Sequence, residues 1–363
     1  MDFRIPTIIL AAGGTGGHVF PASALAEELR GRGYQIVVAT DRRGLKYFES
    51  LDPSIPRHII ASGTYTGGIW GKLLGGFELV KGVFQSIVLI RQVKPIAVVG
   101  FGGYPSAPPL FAGQLCGVRT ILHEQNAILG LANKLLAPMA HRIALSYEDT
   151  VGLSLKLKAK SVYTGNPVRR TIADLSITAY PPIDQKITIM VVGGSQGAKV
   201  FSDVVPFAIA ALSPDLQNRL RVIQQSRSDA IEAVEKIYAK TSLEFEIRPF
   251  FDDMPEQIKR SHLFITRSGA STVAELTAAG RPAIYVPFPW NRDNQQVFNA
   301  GQVEKAGGGW MILEKDLTVE ALTLVLQNLL KSPEILQKAA ISAKNKGRID
   351  ATQRLANTIT EFQ

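Results

Sequence analysis

Short apolar runs rich in β-branched residues alternate along the chain with longer amphipathic stretches. The first series comprises residues 7–12, 35–39, 97–101, 120–123 and 142–146. Each run has strand length, and the stretches between have helical spacing, so the pattern predicts strands joined by helical crossovers. Strands apolar on both faces with helical connections belong to parallel sheets covered on both sides. A second series starts afresh at residues 187–192 and continues through 221–225, 263–266 and 283–287. Between the two series, residues 164–186 carry Pro167, Pro181 and Pro182 with little hydrophobic periodicity, which predicts an interdomain linker. The expected organisation is α/β, with two Rossmann-like domains over residues 1–165 and 166–345. A last helix within 346–363 is expected to pack back on the first domain.

Length and composition suit this division. A chain of 363 residues is too long for one ordinary core. Its 46% hydrophobic and 20% charged residues exclude extensive disorder. The single cysteine, Cys116, allows no intrachain disulfide and is expected to be a small core residue. The first residues, Met1 to Arg4, enter an apolar strand without the features of a secretory leader, so a cytoplasmic location is expected. No run reaches the ~18 to 20 apolar residues needed to cross a bilayer, so membrane contact would be peripheral. A formal net charge of +9 suits an anionic partner: a phosphorylated substrate, anionic lipid or nucleic acid. No nucleic-acid recognition motif accompanies the charge, and nucleic acid is not an expected partner.

Both series open alike. The run at 7–12 enters Gly13-Gly14-Thr15-Gly16-Gly17, and the run at 187–192 enters Gly193-Gly194-Ser195-Gln196-Gly197. A third glycine turn, Gly100-Phe101-Gly102-Gly103-Tyr104-Pro105-Ser106, also lies between a predicted strand and a predicted helix. Glycine lets the backbone approach an anion closely, and the N–H groups and macrodipole of the helix start attract phosphate. The first loop departs from G-x-G-x-x-G and no G-x-x-x-x-G-K-[ST] occurs, which argues against a dehydrogenase or a P-loop NTPase. Any one loop could be a tight turn and nothing more. Together the three point to more than one phosphate site at the carboxyl ends of the strands. His18 follows the first loop at a predicted helix start, where the dipole favours a neutral imidazole able to accept a proton.

In these motifs the chain resembles the bacterial peptidoglycan N-acetylglucosaminyltransferases, which act on undecaprenyl-pyrophosphoryl-N-acetylmuramyl-pentapeptide. The resemblance covers nearly the whole chain. It rests on Gly13-Gly14-Thr15-Gly16-Gly17-His18-Val19-Phe20-Pro21, Gly102-Gly103-Tyr104-Pro105-Ser106, His123-Glu124-Gln125-Asn126 and Thr164-Gly165-Asn166-Pro167-Val168-Arg169. It continues in Gly193-Gly194-Ser195-Gln196-Gly197, Arg267-Ser268-Gly269-Ala270-Ser271-Thr272-Val273-Ala274-Glu275 and Gln295-Gln296-Val297-Phe298-Asn299-Ala300, in the family's order.

The resemblance implies the glycosyltransferase B-type fold, with UDP-N-acetylglucosamine on the second domain and the lipid-linked acceptor mainly on the first. By the family pattern the backbone of Phe251 and the side chain of Arg169 border the uracil, Glu275 holds the ribose hydroxyls and Ser195 meets the diphosphate. The helix entry Ala270-Ser271-Thr272-Val273-Ala274 directs N–H groups at the donor phosphate. Thr15, Gly16, Gly17, Asn126 and Gln296 address the sugar, whose hydroxyls and acetamide need neutral donors and acceptors. Gly13, Gly14, Gly102, Gly103, Tyr104 and Ser106 face the acceptor. The family reaction inverts the anomeric carbon, with His18 as base and Glu124 either as its assistant or as a structural carboxylate fixing its loop. Helix N-termini and the Ser195 loop would stabilise departing UDP, so no cofactor or metal is expected. No D-x-D pair occurs, and Asp252-Asp253 reads as a helix N-cap.

Residues 63–91 hold Ile69, Trp70, Leu73, Leu74, Phe77, Val80, Val83 and Phe84, with Lys72, Lys81 and Arg91 interspersed. Such a basic, amphipathic piece can lie in an anionic lipid interface or cover the sheet as a buried helix. Gly67, Gly68, Gly71, Gly75 and Gly76 favour an irregular segment. The resemblance thus implies a peripheral enzyme at the cytoplasmic face of the inner membrane, near cell-wall synthesis or division complexes. Other UDP-sugar transferases and UDP-N-acetylglucosamine epimerases can use the same fold. The acceptor-side loops speak against an epimerase, and the joint presence of His18, Asn126, Glu275 and Gln296 speaks against a binding protein without catalysis.

Overall fold

The computed structural model describes residues 5–49, 51–63, 69–183, 186–194, 197–289 and 293–361, and for residues 69–73 the backbone alone. The chain divides into two compact units, Met1–Arg169 with Arg348–Gln363, and Arg170–Gly347. The division falls after Arg169 rather than at 165. Most of the predicted linker belongs to the second unit, where the short helices Arg170–Ala173 and Asp174–Ile177 bury Ile172 and Leu175. Helices this short leave little periodicity to read.

The first unit is a sheet of seven strands: β1 Thr7–Ala11, β2 Gln35–Thr40, β3 Arg57–Ile59, β4 Ala97–Gly100, β5 Arg119–Glu124, β6 Arg142–Leu145 and β7 Ser161–Tyr163. Their order is β3-β2-β1-β4-β5-β6-β7, with every pairing parallel. Side chains alternate across β1. Ile8 and Leu10 enter one core with Val19 and Leu25, while Ile9 and Ala11 enter another with Val98 and Leu110. That explains the unbroken apolar run. The strand order reverses between β1 and β4, so the first and third glycine loops flank the crevice where open α/β sheets bind ligands. The helix Ala351–Thr360 returns to this unit and buries Leu355, Ala356 and Ile359 in the core beside the helix Gly16–Gly31. Full burial of Leu355 and Ile359 contributes roughly 1.5–3 kcal/mol each.

The second unit has six strands: β8 Ile187–Val192, β9 Leu220–Gln225, β10 Glu244–Arg248, β11 Leu263–Thr266, β12 Ala283–Tyr285 and β13 Gly309–Met311. Their order is β10-β9-β8-β11-β12-β13, all parallel. Here the order reverses between β8 and β11, next to the second glycine loop and Arg267-Ser268-Gly269.

Two expectations are corrected. Residues Ile69–Val93 form one continuous helix rather than an irregular piece. At least one glycine there serves close approach, since a Cβ on Gly82 would overlap the Ala61 carbonyl. Cys116 is exposed rather than buried. It is the C-cap of the helix Gly103–Leu115, one residue before Gly117 at φ +70°.

Candidate active site

Asp41, just beyond β2, shapes the first glycine loop. Its Oδ1 accepts the N–H of Gly14 and of Gly44, each at 2.8 Å, and its Oδ2 pairs with Arg43 at 3.0 Å. A Cβ on Gly13 would stand 2.6 Å from Asp41 Oδ1, and Gly14 has φ +78°. Gly13 and Gly14 therefore fit the carboxylate, with the Gly14 N–H turned inward rather than toward an acceptor. The sequence reading missed Asp41, whose one signal is an acidic residue closing an apolar strand. Thr15 is the N-cap of the helix Gly16–Gly31 and makes no side-chain cap bond. Gly16 admits the Phe20 ring, 2.8 Å from where its Cβ would be, and the Arg169 guanidinium lies over that ring at 5.0 Å.

His18 sits half-buried against the third glycine loop. Gly102 and Gly103 have φ +75° and +72°, and a Cβ on Gly103 would stand 3.2 Å from His18 Nε2. Only glycine lets this loop close on the imidazole. His18 Nδ1 is 3.2 Å from Gln125 Oε1, while Gln125 Nε2 donates to the Phe101 carbonyl at 2.6 Å. A carbonyl can only accept, so Phe101 assigns the amide nitrogen to its own side and leaves Oε1 facing His18. A neutral His18 then carries its proton on Nδ1 and presents a lone pair at Nε2. Tyr104 is exposed at the loop, whereas Ser106 is buried and its hydroxyl donates to the Gly103 carbonyl at 3.1 Å. Ser106 thus braces the loop rather than facing an acceptor.

Glu124 ends β5, buried. Its Oε1 accepts from Asn126 N (3.0 Å) and Asn126 Nδ2 (3.1 Å), and its Oε2 accepts from Gly130 N (2.9 Å) and Asn133 Nδ2 (2.8 Å). Of the two expected roles, this geometry fits the structural one: four donors converge on a carboxylate that holds Asn126 in place. The neighbouring His123 is buried, and its Nε2–H donates to the Gly165 carbonyl at 3.1 Å. Burial pushes this imidazole down to about 4, so it is neutral at ordinary pH. Gly165 has φ +82°, and a Cβ there would stand 2.6 Å from Arg348 Cβ, where the chain crosses back into this unit.

On the second unit, Gly193 admits the backbone of Ala198, and Gly194 and Gly197 have φ +87° and +69°. Ser195 lies outside the described residues. Beyond β11, Arg267 Nη1 donates to the carbonyls of Val286 (3.1 Å) and Pro287 (3.3 Å), and Arg267 pairs with Glu314. Its guanidinium lies between the rings of Phe201 and Phe288 at 5.2 and 5.4 Å. Gln296 Oε1 accepts from Ser268 N at 3.2 Å and Phe288 N at 3.0 Å, and Asn299 Nδ2 donates to the Ser268 carbonyl at 3.2 Å. The carbonyl end of Gln296 therefore locks two loops together. Arg267, Glu314 and Asn299 brace this region, and of these Glu314 lies in none of the family's motifs.

Gly269 is the N-cap of the helix Ala270–Ala278 and makes no side-chain cap bond. Val273 is buried and its N–H already donates to the Gly269 carbonyl at 3.0 Å. That N–H is taken, and Ala274 lies one residue further into the helix, so Val273 and Ala274 are not anion ligands through their amides. Ser271, Thr272 and Glu275 are half-buried on this helix. Phe251 turns its ring inward, 3% exposed beneath the Arg248 guanidinium. Asp253 is the N-cap of the helix Met254–Arg260 but makes no side-chain cap bond, and its Oδ2 accepts from Gln257 Nε2 at 2.7 Å instead. Among the described residues, no three His, Cys, Asp or Glu side chains gather in one place.

Among the described residues no helix is long and apolar enough to cross a membrane. The helix Ile69–Val93 exposes Leu74, Phe77, Val80 and Phe84, each about two-thirds accessible, with Lys81 beside Glu78 at 3.9 Å. The side chains of Ile69, Trp70, Lys72 and Leu73 lie outside the described residues.

Two parallel α/β units, each with glycine loops at the switch point of its sheet, define the two-domain glycosyltransferase fold of the B type. Residues 8–145 match the glycosyltransferase family 28 N-terminal domain, and residues 188–355 match the glycosyltransferase family 28 C-terminal domain. The UDP-N-acetylglucosamine--N-acetylmuramyl-(pentapeptide) pyrophosphoryl-undecaprenol N-acetylglucosamine transferase of Paramagnetospirillum magneticum is 43% identical over 99% of this chain and 97% of its own. That of Rhodospirillum centenum is 44% identical over 97% of this chain and 93% of its own. The crystal structure of Acinetobacter baumannii MurG superimposes with a TM-score of 0.80 at 28% identity, covering 98% of this chain and 99% of that one. The chain belongs to glycosyltransferase family 28, among its UDP-N-acetylglucosamine--N-acetylmuramyl-(pentapeptide) pyrophosphoryl-undecaprenol N-acetylglucosamine transferases.

Proposed function

We propose that this enzyme transfers N-acetylglucosamine from UDP-N-acetylglucosamine to undecaprenyl-pyrophosphoryl-N-acetylmuramyl-pentapeptide with inversion at the anomeric carbon. Beyond the family, the observation that supports it is His18 held by Gln125 with Nε2 presented beside Gly103. The acceptor hydroxyl gives its proton to Nε2 as its oxygen attacks the anomeric carbon from the face opposite UDP. The departing UDP carries growing negative charge, which the helix start at Ala270 and the loop around Ser195 stabilise without a divalent cation or cofactor. Phe251 and Arg169 border the uracil, Glu275 binds the ribose hydroxyls, and Gln296 donates to the sugar. Glu124 acts as a positioning residue, through Asn126. The enzyme works as a peripheral protein at the cytoplasmic face of the inner membrane, where cell-wall synthesis and division complexes are its neighbours. Its exposed stripe Leu74-Phe77-Val80-Phe84 meets anionic lipid.

The test is transfer of radiolabelled N-acetylglucosamine to a short-chain lipid-pyrophosphoryl-muramyl-pentapeptide in EDTA, for the wild type and His18→Ala. Disaccharide from the wild type and a loss of roughly 10²- to 10⁴-fold in the variant are expected. Binding of UDP-N-acetylglucosamine without any disaccharide would overturn the acceptor assignment. An epimerase reading would then move ahead, since a UDP-N-acetylglucosamine 2-epimerase structure from Listeria monocytogenes shares this fold at a TM-score of 0.64 and 16% identity.

A further inference from the structure

Two amides of the first glycine loop are already occupied from within the protein. The Gly14 N–H donates to Asp41, and the Thr15 N–H donates to the Gly13 carbonyl at 3.0 Å. A glycine loop draws an anion through N–H groups that point at it. At Gly13 and Gly14 an anion meets a carboxylate behind the backbone instead, so positive charge on this side has to come from a side chain.

Arg43 supplies it. The short helix Arg42–Leu45 lies so close to the loop that a Cβ on Gly44 would stand 2.7 Å from the Gly13 Cα. From this helix Arg43 reaches back over the loop, with Nη2 3.9 Å from where a Gly14 Cβ would be. Its Nε donates to Asp41 Oδ2 at 3.0 Å, and Asp41 is the only residue it bonds among the described ones. The Asp41 side chain is 9% exposed and that of Arg43 59%. A pair with so exposed a partner contributes little to stability. What it does is pin the guanidinium at its stem and leave both Nη nitrogens as a fork of the kind that matches phosphate oxygens.

Pro105 links this arginine to the reacting end. Its Cγ is 3.9 Å from the same Gly14 position, and its Cδ is 3.5 Å from the Cβ position of Gly103, which faces His18 Nε2 at 3.2 Å. Arg43 and His18 therefore border the one crevice between the first and third glycine loops.

We infer that Arg43 binds the pyrophosphate of the lipid-linked acceptor, with Asp41 as the positioning residue that holds it by Nε. The inference rests on the acceptor reading above and adds a specific ligand to it. The attacking hydroxyl and the pyrophosphate belong to the same sugar of that acceptor, so a cation for the pyrophosphate must stand near His18 without touching it, and Arg43 does.

Steady-state kinetics of the full chain with a short-chain lipid-pyrophosphoryl-muramyl-pentapeptide test this. Arg43→Gln should raise KM for the acceptor about tenfold, the value of one charge-assisted hydrogen bond at an exposed site, and leave kcat and KM for UDP-N-acetylglucosamine within about twofold. A short-chain prenyl pyrophosphate should compete with the acceptor, and its inhibition constant should rise by the same factor in the variant. Asp41→Asn keeps an oxygen for Gly14 and Gly44 but turns an N–H₂ toward Arg43, and should raise the acceptor KM about threefold. Arg42→Gln removes an equal charge next door and should change nothing. An unchanged acceptor KM in Arg43→Gln, an equal rise in the donor KM, or the same defect in Arg42→Gln would overturn the role of Arg43 and leave the acceptor reading standing. A wild type that makes no disaccharide would overturn the acceptor reading itself.

Discussion

His18 Nδ1 stands 3.2 Å from Gln125 Oε1, and that contact selects the reactive face of the imidazole. Because Phe101 fixes the amide, Gln125 can only accept from His18. Replacing Gln125 by Leu should lower kcat by roughly 10- to 100-fold, the usual cost of losing a partner that orients an imidazole, with little change in KM. Gln125→Glu puts a carboxylate beside the ring and should move the acid limb of the kcat/KM profile to higher pH. Steady-state kinetics across pH decide the matter, and two profiles like the wild type's would refute the orienting role.

Glu124 meets donors at all four of its hydrogen bonds. Glu124→Gln turns an N–H₂ toward N–H groups and leaves buried donors unmatched, at about 1–3 kcal/mol of stability. Urea unfolding should register that loss, together with a higher KM for UDP-N-acetylglucosamine as Asn126 shifts. A variant with native stability and a pure kcat defect would point instead to direct participation in proton transfer.

Gln296 offers a sharper separation of fold from binding. Its Oε1 accepts two backbone N–H groups, so Gln296→Glu keeps both loop contacts but removes the amide donor. The variant should unfold like the wild type while KM for the donor rises on the order of tenfold, the value of one lost hydrogen bond of about 1.4 kcal/mol. Calorimetric titration with UDP-N-acetylglucosamine and with UDP alone checks this, since only the sugar-bearing ligand should weaken.

His123 predicts a pH dependence of stability. Burial holds its imidazole at about 4, against an ordinary value of 6.5. The unfolded chain therefore takes up a proton that the folded chain refuses, and folded stability falls as pH drops from about 6.5 toward 4. Between pH 7.5 and 5 this one group should cost roughly 2 kcal/mol. His123→Phe, which keeps a ring against Phe101, should remove that part of the slope in denaturant titrations at the two pH values. An unchanged slope would mean that another group sets it.

The long strands were legible because burial on both faces leaves an unbroken apolar run, as in Thr7–Ala11 and Ile187–Val192. The edge strands Arg57–Ile59, Ser161–Tyr163, Glu244–Arg248 and Gly309–Met311 were not, Glu244–Arg248 because exposed charged residues interrupt its apolar positions. Three residues carry too little pattern, and such strands exist because a formed neighbour offers its edge. The helix Ile69–Val93 was obscured by its glycines, which read as breaks.

Sequence alone determined that two parallel α/β units are present, that glycine loops open their helices, and that the motifs belong to one family of transferases. Periodicity and glycine spacing are local properties, and they follow from which face of an element is dry and which backbone angles a turn requires. The tertiary structure alone decided what each polar group is for. Asp41 comes to Gly14, Gln125 to His18 and Gln296 to Ser268 across 27, 107 and 28 residues of chain. A buried donor must meet an acceptor, and which acceptor it meets is settled only when the strands are laid side by side. The glycines of the first loop, written plainly in the sequence, thus prove to be shaped by an aspartate that no motif contains.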